Sequence, residues 1–156
     1  MSYNEKFMRR AIELSVRNVE EGGGPFGAVI VKNGEIIAEG TNRVTADHDP
    51  TAHAEVSVIR KAAKQLDTFD LSGCDIYSSC EPCPMCLGAI YWAHLDNLYY
   101  GNTKADAKAI GFDDSFIYDE INLLPEERQL KTSQYLSEEA IAAFEKWRDK
   151  EDKVEY

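Results

Sequence analysis

The sequence has no long apolar run. Its longest hydrophobic stretches fall far short of the ~20 residues that a membrane-spanning helix needs, so no membrane association is expected. Basic charge is also in short supply. Seventeen Lys and Arg face 28 Asp and Glu, a formal net charge of −11. That balance disfavours holding nucleic acid or an anionic membrane by charge alone, and it favours a small neutral or cationic substrate. Cysteine is scarce and clustered, with Cys74, Cys80, Cys83 and Cys86 the only four. A disulfide scaffold would scatter them. The opening residues Met1 to Lys6 lack the apolar core of a secretory signal, so the expected setting is the cytoplasm, where grouped thiols read as metal ligands. No internal repeat or low-complexity segment is visible.

What the chain does have is an ordinary globular composition. It holds 156 residues, 44% hydrophobic and 29% charged. That suits one domain, residues 1–156, able to bury roughly 68–70% of its unfolded surface. Helices and strands alternate along it. Phe7, Met8, Ala11, Ile12, Ser15, Val16 and Val19 mark a helical stripe over 4–21, which Gly22, Gly23, Gly24 and Pro25 end. Residues 26–32 and 35–41 read as two strands joined by Asn33-Gly34, a pair suited to the positive φ angles of a tight hairpin. Helices are expected over 52–65, 84–93, 103–109 and 137–150, the last with Ser137 as its cap and Ala140, Ile141, Phe144 and Trp147 on one side. Residues 74–79 and 98–100 supply two more strands, and 110–135 has room for a loop, a helical turn and a short last strand. The pattern predicts one mixed sheet covered by helices.

Two motifs carry chemistry. His53-Ala54-Glu55 opens the second helix, and Pro82-Cys83-Pro84-Met85-Cys86 opens the third. One imidazole and two thiolates suit zinc with a fourth, open position. A spacing of three in the first helical turn puts the Cys83 and Cys86 sulfurs on one side, and the positive end of the helix dipole favours their thiolate forms. Pro84 suits that first turn, where its missing N–H costs nothing. His53 and Glu55, two apart, would point roughly 200° from each other inside a regular helix, so they share a site only if His53 lies at or before the cap. Such a zinc lowers the pKa of water from about 15.7 to about 7. Glu55, not needed as a ligand, is then placed to move protons as general acid and base. Two other readings compete: a satisfied histidine at a helix start, and a structural zinc held by four cysteines. The second is weakened because Cys80-x-x-Cys83 and Cys83-x-x-Cys86 overlap on Cys83, which leaves Cys74 and Cys80 as small buried hydrophobes.

His-x-Glu followed by Pro-Cys-x-x-Cys is the signature of zinc-dependent nucleobase deaminases. By it the sequence resembles the cytidine deaminase-like superfamily, closely over 53–90 and in element order over about 5–110. The resemblance implies an α/β fold, a three-layer αβα sandwich around a mixed five-stranded sheet. It also implies a hydrolase with one zinc per chain, held by His53, Cys83 and Cys86, with Glu55 catalytic. Within the superfamily several stretches look like the bacterial guanine deaminases: Gly24 to Val31, Asn42, Asp49 to Glu55, Ser79 to Ala93, Gly111 to Tyr118 and the final Tyr156.

That resemblance implies a purine base as substrate, with guanine losing its C2 amine to give xanthine and ammonia. Phe26 would flank the ring, Asn42 and the Ala54 N–H would bond its polar edge, Trp92 would wall the pocket and Asp114 would read its donors. The Cys83 N–H would steady charge in the tetrahedral intermediate. Tyr156 would close the site from the partner in a homodimer whose C-terminal segments, about 120–156, are exchanged. Each residue also has a plainer reading: Phe26 and Trp92 as core, Asn42 as a turn former, Asp114 as a helix cap and Tyr156 as part of a frayed charged tail. The alternatives in function are a transfer RNA adenosine deaminase, a deaminase of cytosine or an amino-triazine, and a non-catalytic zinc-bound interaction domain.

Overall fold

A computed structural model describes residues 2–156. The chain divides into two compact units, 1–115 and 116–156.

The first unit is built on a hairpin. Strands β1 (Gly27–Lys32) and β2 (Glu35–Thr41) pair antiparallel across Asn33 and Gly34, whose φ angles are 52° and 79°, as the Asn-Gly pair predicts. β3 (Cys74–Cys80) pairs antiparallel with the other edge of β1, and β4 (Asn97–Asn102) runs parallel to β3. The spatial order is β2-β1-β3-β4, a mixed sheet.

The helices cover both faces. α1 (Glu5–Glu20) lies on one, where Phe7, Met8, Ala11 and Leu14 pack with Val29, Val31 and Tyr77. α2 (Ala54–Leu66) and α3 (Pro84–Trp92) belong to the other, where Ala54, Val58, Ala62 and Ile90 pack with Ala28, Ile30, Cys74 and Ile76. This alternation of Val29/Val31 and Ala28/Ile30 follows the two-residue period of a strand covered on both sides. A short α4 (Lys104–Ala109) follows β4, with Thr103 and Asp106 forming a capping box.

Three sequence expectations need correction. The sheet has four strands among the described residues, not five. Residues 110–135 hold α5 (Ser115–Ile121) and a 3₁₀ turn at Pro125–Glu127 instead of a strand. Pro125 lacks the N–H that a strand would donate and suits the first position of a helical turn. On α1 the buried face is Phe7, Met8, Ala11, Leu14, Ser15 and Asn18, while Ile12, Val16 and Val19 are exposed. Close approach decides that face: a Cβ on Gly27 would lie 2.5 Å from the Ala11 carbonyl oxygen, so the small Ala11 and Ser15 must face the sheet. Ser137 is not the cap of α6 (Ser137–Asp149). Leu136, in the left-handed region at φ 56°, turns the chain into that helix one residue earlier.

The second unit holds most of α5, the 3₁₀ turn and α6. Arg128 ties its first half together, donating to the carbonyls of Glu120 and Leu123, while the Glu120 carboxylate accepts the Gln129 N–H at 2.8 Å. None of its described residues is buried. On α6, Ile141, Phe144 and Trp147 are 47%, 73% and 42% exposed.

Candidate metal centre and active site

Two helix N-termini meet at the site. His53 caps α2 and Cys83 caps α3, both in extended backbone, with φ/ψ of −65°/159° and −67°/169°. Neither side chain bonds its own helix, as a capping residue ordinarily would. They turn toward each other instead. The extended cap resolves the problem of spacing: His53 stands outside the helical screw, so it and Glu55 in the first turn can serve one place.

The distances are those of a metal cradle. His53 Nδ1 lies 3.5 Å from Cys83 Sγ and 3.5 Å from Cys86 Sγ. With Zn–S bonds of about 2.3 Å and Zn–N bonds of about 2.0–2.1 Å at tetrahedral angles, the N···S edge comes to about 3.6 Å. The three ligand atoms all lie within 4.8 Å of one another, and no other group of three metal-ligating side chains occurs among the described residues. The residues present therefore fit one zinc ion, with a fourth position left for water or substrate.

The two sulfurs and the imidazole act on one another electrically. The Cys83 thiolate is favoured by a hydrogen bond from the Cys86 thiol and then by His53, so its pKa falls to about 4. Cys86, the donor in that pair and buried, is pushed up while it keeps its proton. His53 is raised by its bond to Cys83. Cys80 behaves differently: burial raises its thiol to about 11, and its sulfur lies 3.8 Å from the Thr103 carbonyl oxygen. Cys74 is fully buried. The four-cysteine site does not form.

Glu55 is 5% exposed in the first turn of α2. One carboxylate oxygen, Oε1, accepts the Ser78 hydroxyl at 3.0 Å. Burial pushes its pKa up from the ordinary glutamate range. Sequence reasoning overlooked Ser78. The signal was a hydroxyl in the otherwise apolar same-face series Cys74, Ile76, Ser78, Cys80 of a strand buried from end to end.

The other expected site residues fall into two groups. Phe26, Asn42 and the loop before α5 come together. Asn42 N–H donates to the Phe26 carbonyl at 3.1 Å, and Phe112 meets the Phe26 ring edge-on at 5.0 Å. Asn18, buried on α1, clamps this corner by donating to the carbonyls of Gly24 and Asn42 at 2.7 and 3.0 Å. The Asn42 carboxamide oxygen accepts the Val44 N–H, so Asn42 does shape its turn. Asp114 is half-buried near the ligands: burial first, then the Cys83 charge, raises its pKa. It stands immediately before α5, and its neighbour Asp113 braces the same turn, its Oδ1 accepting from the Ser115 N–H and hydroxyl. Ala54 is buried, and its N–H is a first-turn donor that α2 cannot satisfy.

Trp92 and Tyr156 are 67% and 73% exposed, so neither is core. Trp92 ends α3, about 13 Å along the helix from Cys83. No described helix is long and apolar enough to cross a membrane.

Comparison with known proteins gives a consistent picture. Residues 1–102 match the family described as the cytidine and deoxycytidylate deaminase zinc-binding region. Guanine deaminase of Bacillus subtilis is 53% identical over 154 residues, 98% of this chain and 99% of that one. Its crystal structure superimposes with a TM-score of 0.95 at 52% identity, covering 99% of both chains. The transfer RNA-specific adenosine deaminase of the same organism is 41% identical over 101 residues, 65% of this chain and 63% of that one.

Proposed function

The chain belongs to the cytidine and deoxycytidylate deaminase zinc-binding family, and from that premise we propose that it is a zinc-dependent hydrolase converting guanine and water to xanthine and ammonia. The observation that carries the substrate is coverage. Likeness to the guanine deaminase runs over 98% of the chain, whereas likeness to the transfer RNA enzyme of the same organism covers 65%. The formal charge of −11 points the same way, since an anticodon loop is held largely through its phosphates.

His53, Cys83 and Cys86 hold the zinc, which when bound supplies the Lewis acidity that lets water ionise near neutral pH. Glu55 takes one proton from the attacking water and delivers it to a ring nitrogen, then carries the second proton, from the hydroxyl added at C2, to the departing amine. Its burial supports that role, because a raised pKa suits a carboxylate that must both accept and release a proton. The Cys83 N–H, at the positive end of α3, steadies the charge that develops during attack. Phe26 flanks the base, Asn42 and the Ala54 N–H bond its polar edge, and Asp114 reads its donors.

Trp92 and Tyr156 wall and close the pocket. In this proposal residues 1–156 form one catalytic domain that works as a cytoplasmic homodimer with the segment from about 120 exchanged, so that Tyr156 acts on the partner. The apolar stripe Ile141, Phe144 and Trp147, which a single chain leaves in water, supports that assembly.

The test is ammonia release from guanine, adenine, cytosine, cytidine and a transfer RNA anticodon stem, with zinc measured on the same sample. Turnover of guanine alone is expected. Turnover of the RNA alone would overturn the substrate and keep the zinc chemistry. One zinc with no turnover of any of them would favour a binding module.

A further inference from the structure

Ser78 lies in the middle of β3, hydrogen-bonded into the sheet between Ala28 of β1 and Tyr100 of β4. Its neighbours on the same face, Cys74, Ile76 and Cys80, are buried and weakly polar or apolar. A third small hydrophobe would fit the pattern. A hydroxyl there, 2% exposed, must find a partner, and the partner is Glu55 Oε1 at 3.0 Å. No buried side-chain polar atom of the described residues lacks one.

We propose that Ser78 is a positioning residue for the deamination, holding Glu55 Oε1 against β3 so that Oε2 faces the attacking water. This rests on the role given to Glu55 under Proposed function. The geometry supplies the reason. Glu55 sits in the first turn of a helix and has three side-chain torsions; its own N–H and the Cys86 thiol also reach its carboxylate, and Ser78 is the anchor that the sheet supplies. Ser78 has one torsion and stands on a strand paired on both sides. Anchoring Oε1 to that strand removes the rotations that would swing the other oxygen away from the His53, Cys83 and Cys86 cluster. Two atoms of sequence-distant elements thus set one proton-transfer distance, and an error of 1 Å at such a distance is worth up to 10²-fold in rate. Ser78 itself touches neither substrate nor metal ligand in this scheme; it acts through Glu55.

The experiment is steady-state kinetics with guanine on zinc-loaded Ser78→Ala, Ser78→Val and Ser78→Thr, with zinc content and melting temperature on the same samples. Val and Thr have one shape and differ in the hydroxyl. The Ala and Val variants are expected to lose about tenfold or more in kcat, with KM changed by less than about twofold and zinc retained. The Thr variant is expected to stay within about threefold of the wild type. In a Glu55→Gln background, Ser78→Ala should add less than about twofold, because the group it positions no longer carries a proton. Wild-type kcat in the Ala variant, or equal losses in Val and Thr, would overturn the proposal. Where either larger side chain prevents folding, the Ala variant alone decides. Wild-type turnover by Glu55→Gln would overturn the role of Glu55 itself, whereas an inactive Glu55→Gln beside a fully active Ser78→Ala would overturn only the inference about Ser78.

Discussion

Replacing Gly40 by alanine reaches the site through packing alone. Gly40 lies on β2 beneath the first turn of α2, and a Cβ there would stand 2.7 Å from the Ala54 carbonyl oxygen, 2.8 Å from the Val58 nitrogen and 2.9 Å from the Val58 Cβ. Two of these three are backbone atoms, so no side chain can rotate away. Ordinary contact begins at 3.4 Å, and α2 must therefore retreat by about 0.7 Å. Overpacking of this kind costs about 1–3 kcal/mol. In a domain of this size each kcal/mol moves Tm by roughly 2–4 °C, so a fall of several degrees is expected. The same retreat displaces the turn that carries His53 and Glu55, and catalytic groups tolerate only about 0.5 Å. Gly40→Ala should therefore lower kcat by about 10–100-fold and weaken zinc retention during dialysis against a chelator. Thermal melts, zinc content and ammonia release test this. A variant with wild-type Tm and wild-type kcat would refute the claim that the β2–α2 contact sets the position of the site.

Other outcomes follow from the same geometry. Cys83→Ser should lose zinc and Cys80→Ser should keep it, measured as metal per chain after gel filtration; metal loss from the Cys80 variant would revive a cysteine-rich structural site. Removing residues 150–156 should lower kcat/KM for guanine with zinc content intact, and unchanged kinetics would show that Tyr156 is idle. Arg10 forks onto Glu39 with bonds of 2.7 and 2.8 Å, tying α1 to β2, and that pairing holds the Glu39 carboxyl below its usual 4.5. Because the folded value is depressed, the contribution is present above pH 4.5 and fades as pH falls through the folded value. Glu39→Gln should cost about 1 kcal/mol in denaturant unfolding at pH 7, with the groups a third exposed, and the cost should shrink as pH is taken progressively below 4.5. A cost that stays constant down to the acid unfolding of the protein would show that charge is not the cause.

Much of the first unit was legible in the residues. Asn33-Gly34 fixed the hairpin because few other pairs accept two positive φ angles. The period-two pattern of β1 and the cap-and-first-turn spacing of Cys83 and Cys86 are local signals, and local signals survive in the sequence. What escaped depended on partners far along the chain. The choice between Leu14 and Ile12 on α1 was made by Gly27 pressing on Ala11, a contact that helical periodicity cannot contain. Ser78 was invisible because its meaning depends on Glu55, which lies 23 positions away. The expected fifth strand failed at Pro125, where the shortage of backbone donors outweighed the apolar run before it. Asp113 and Asp114 are adjacent and alike in letters, and only the fold separates the one that binds Ser115 from the one half-buried near the ligands.

The most direct measurement of the central claim compares wild type with Glu55→Gln, both reconstituted with zinc. Metal per chain and ammonia release from guanine are read on each sample. The account predicts one zinc per chain in both proteins, steady turnover in the wild type and a loss of at least about 10³-fold in the variant, because ligands and shape persist while the proton carrier is gone. Equal turnover in the two proteins, or a wild type that holds zinc and releases no ammonia from guanine, would contradict it.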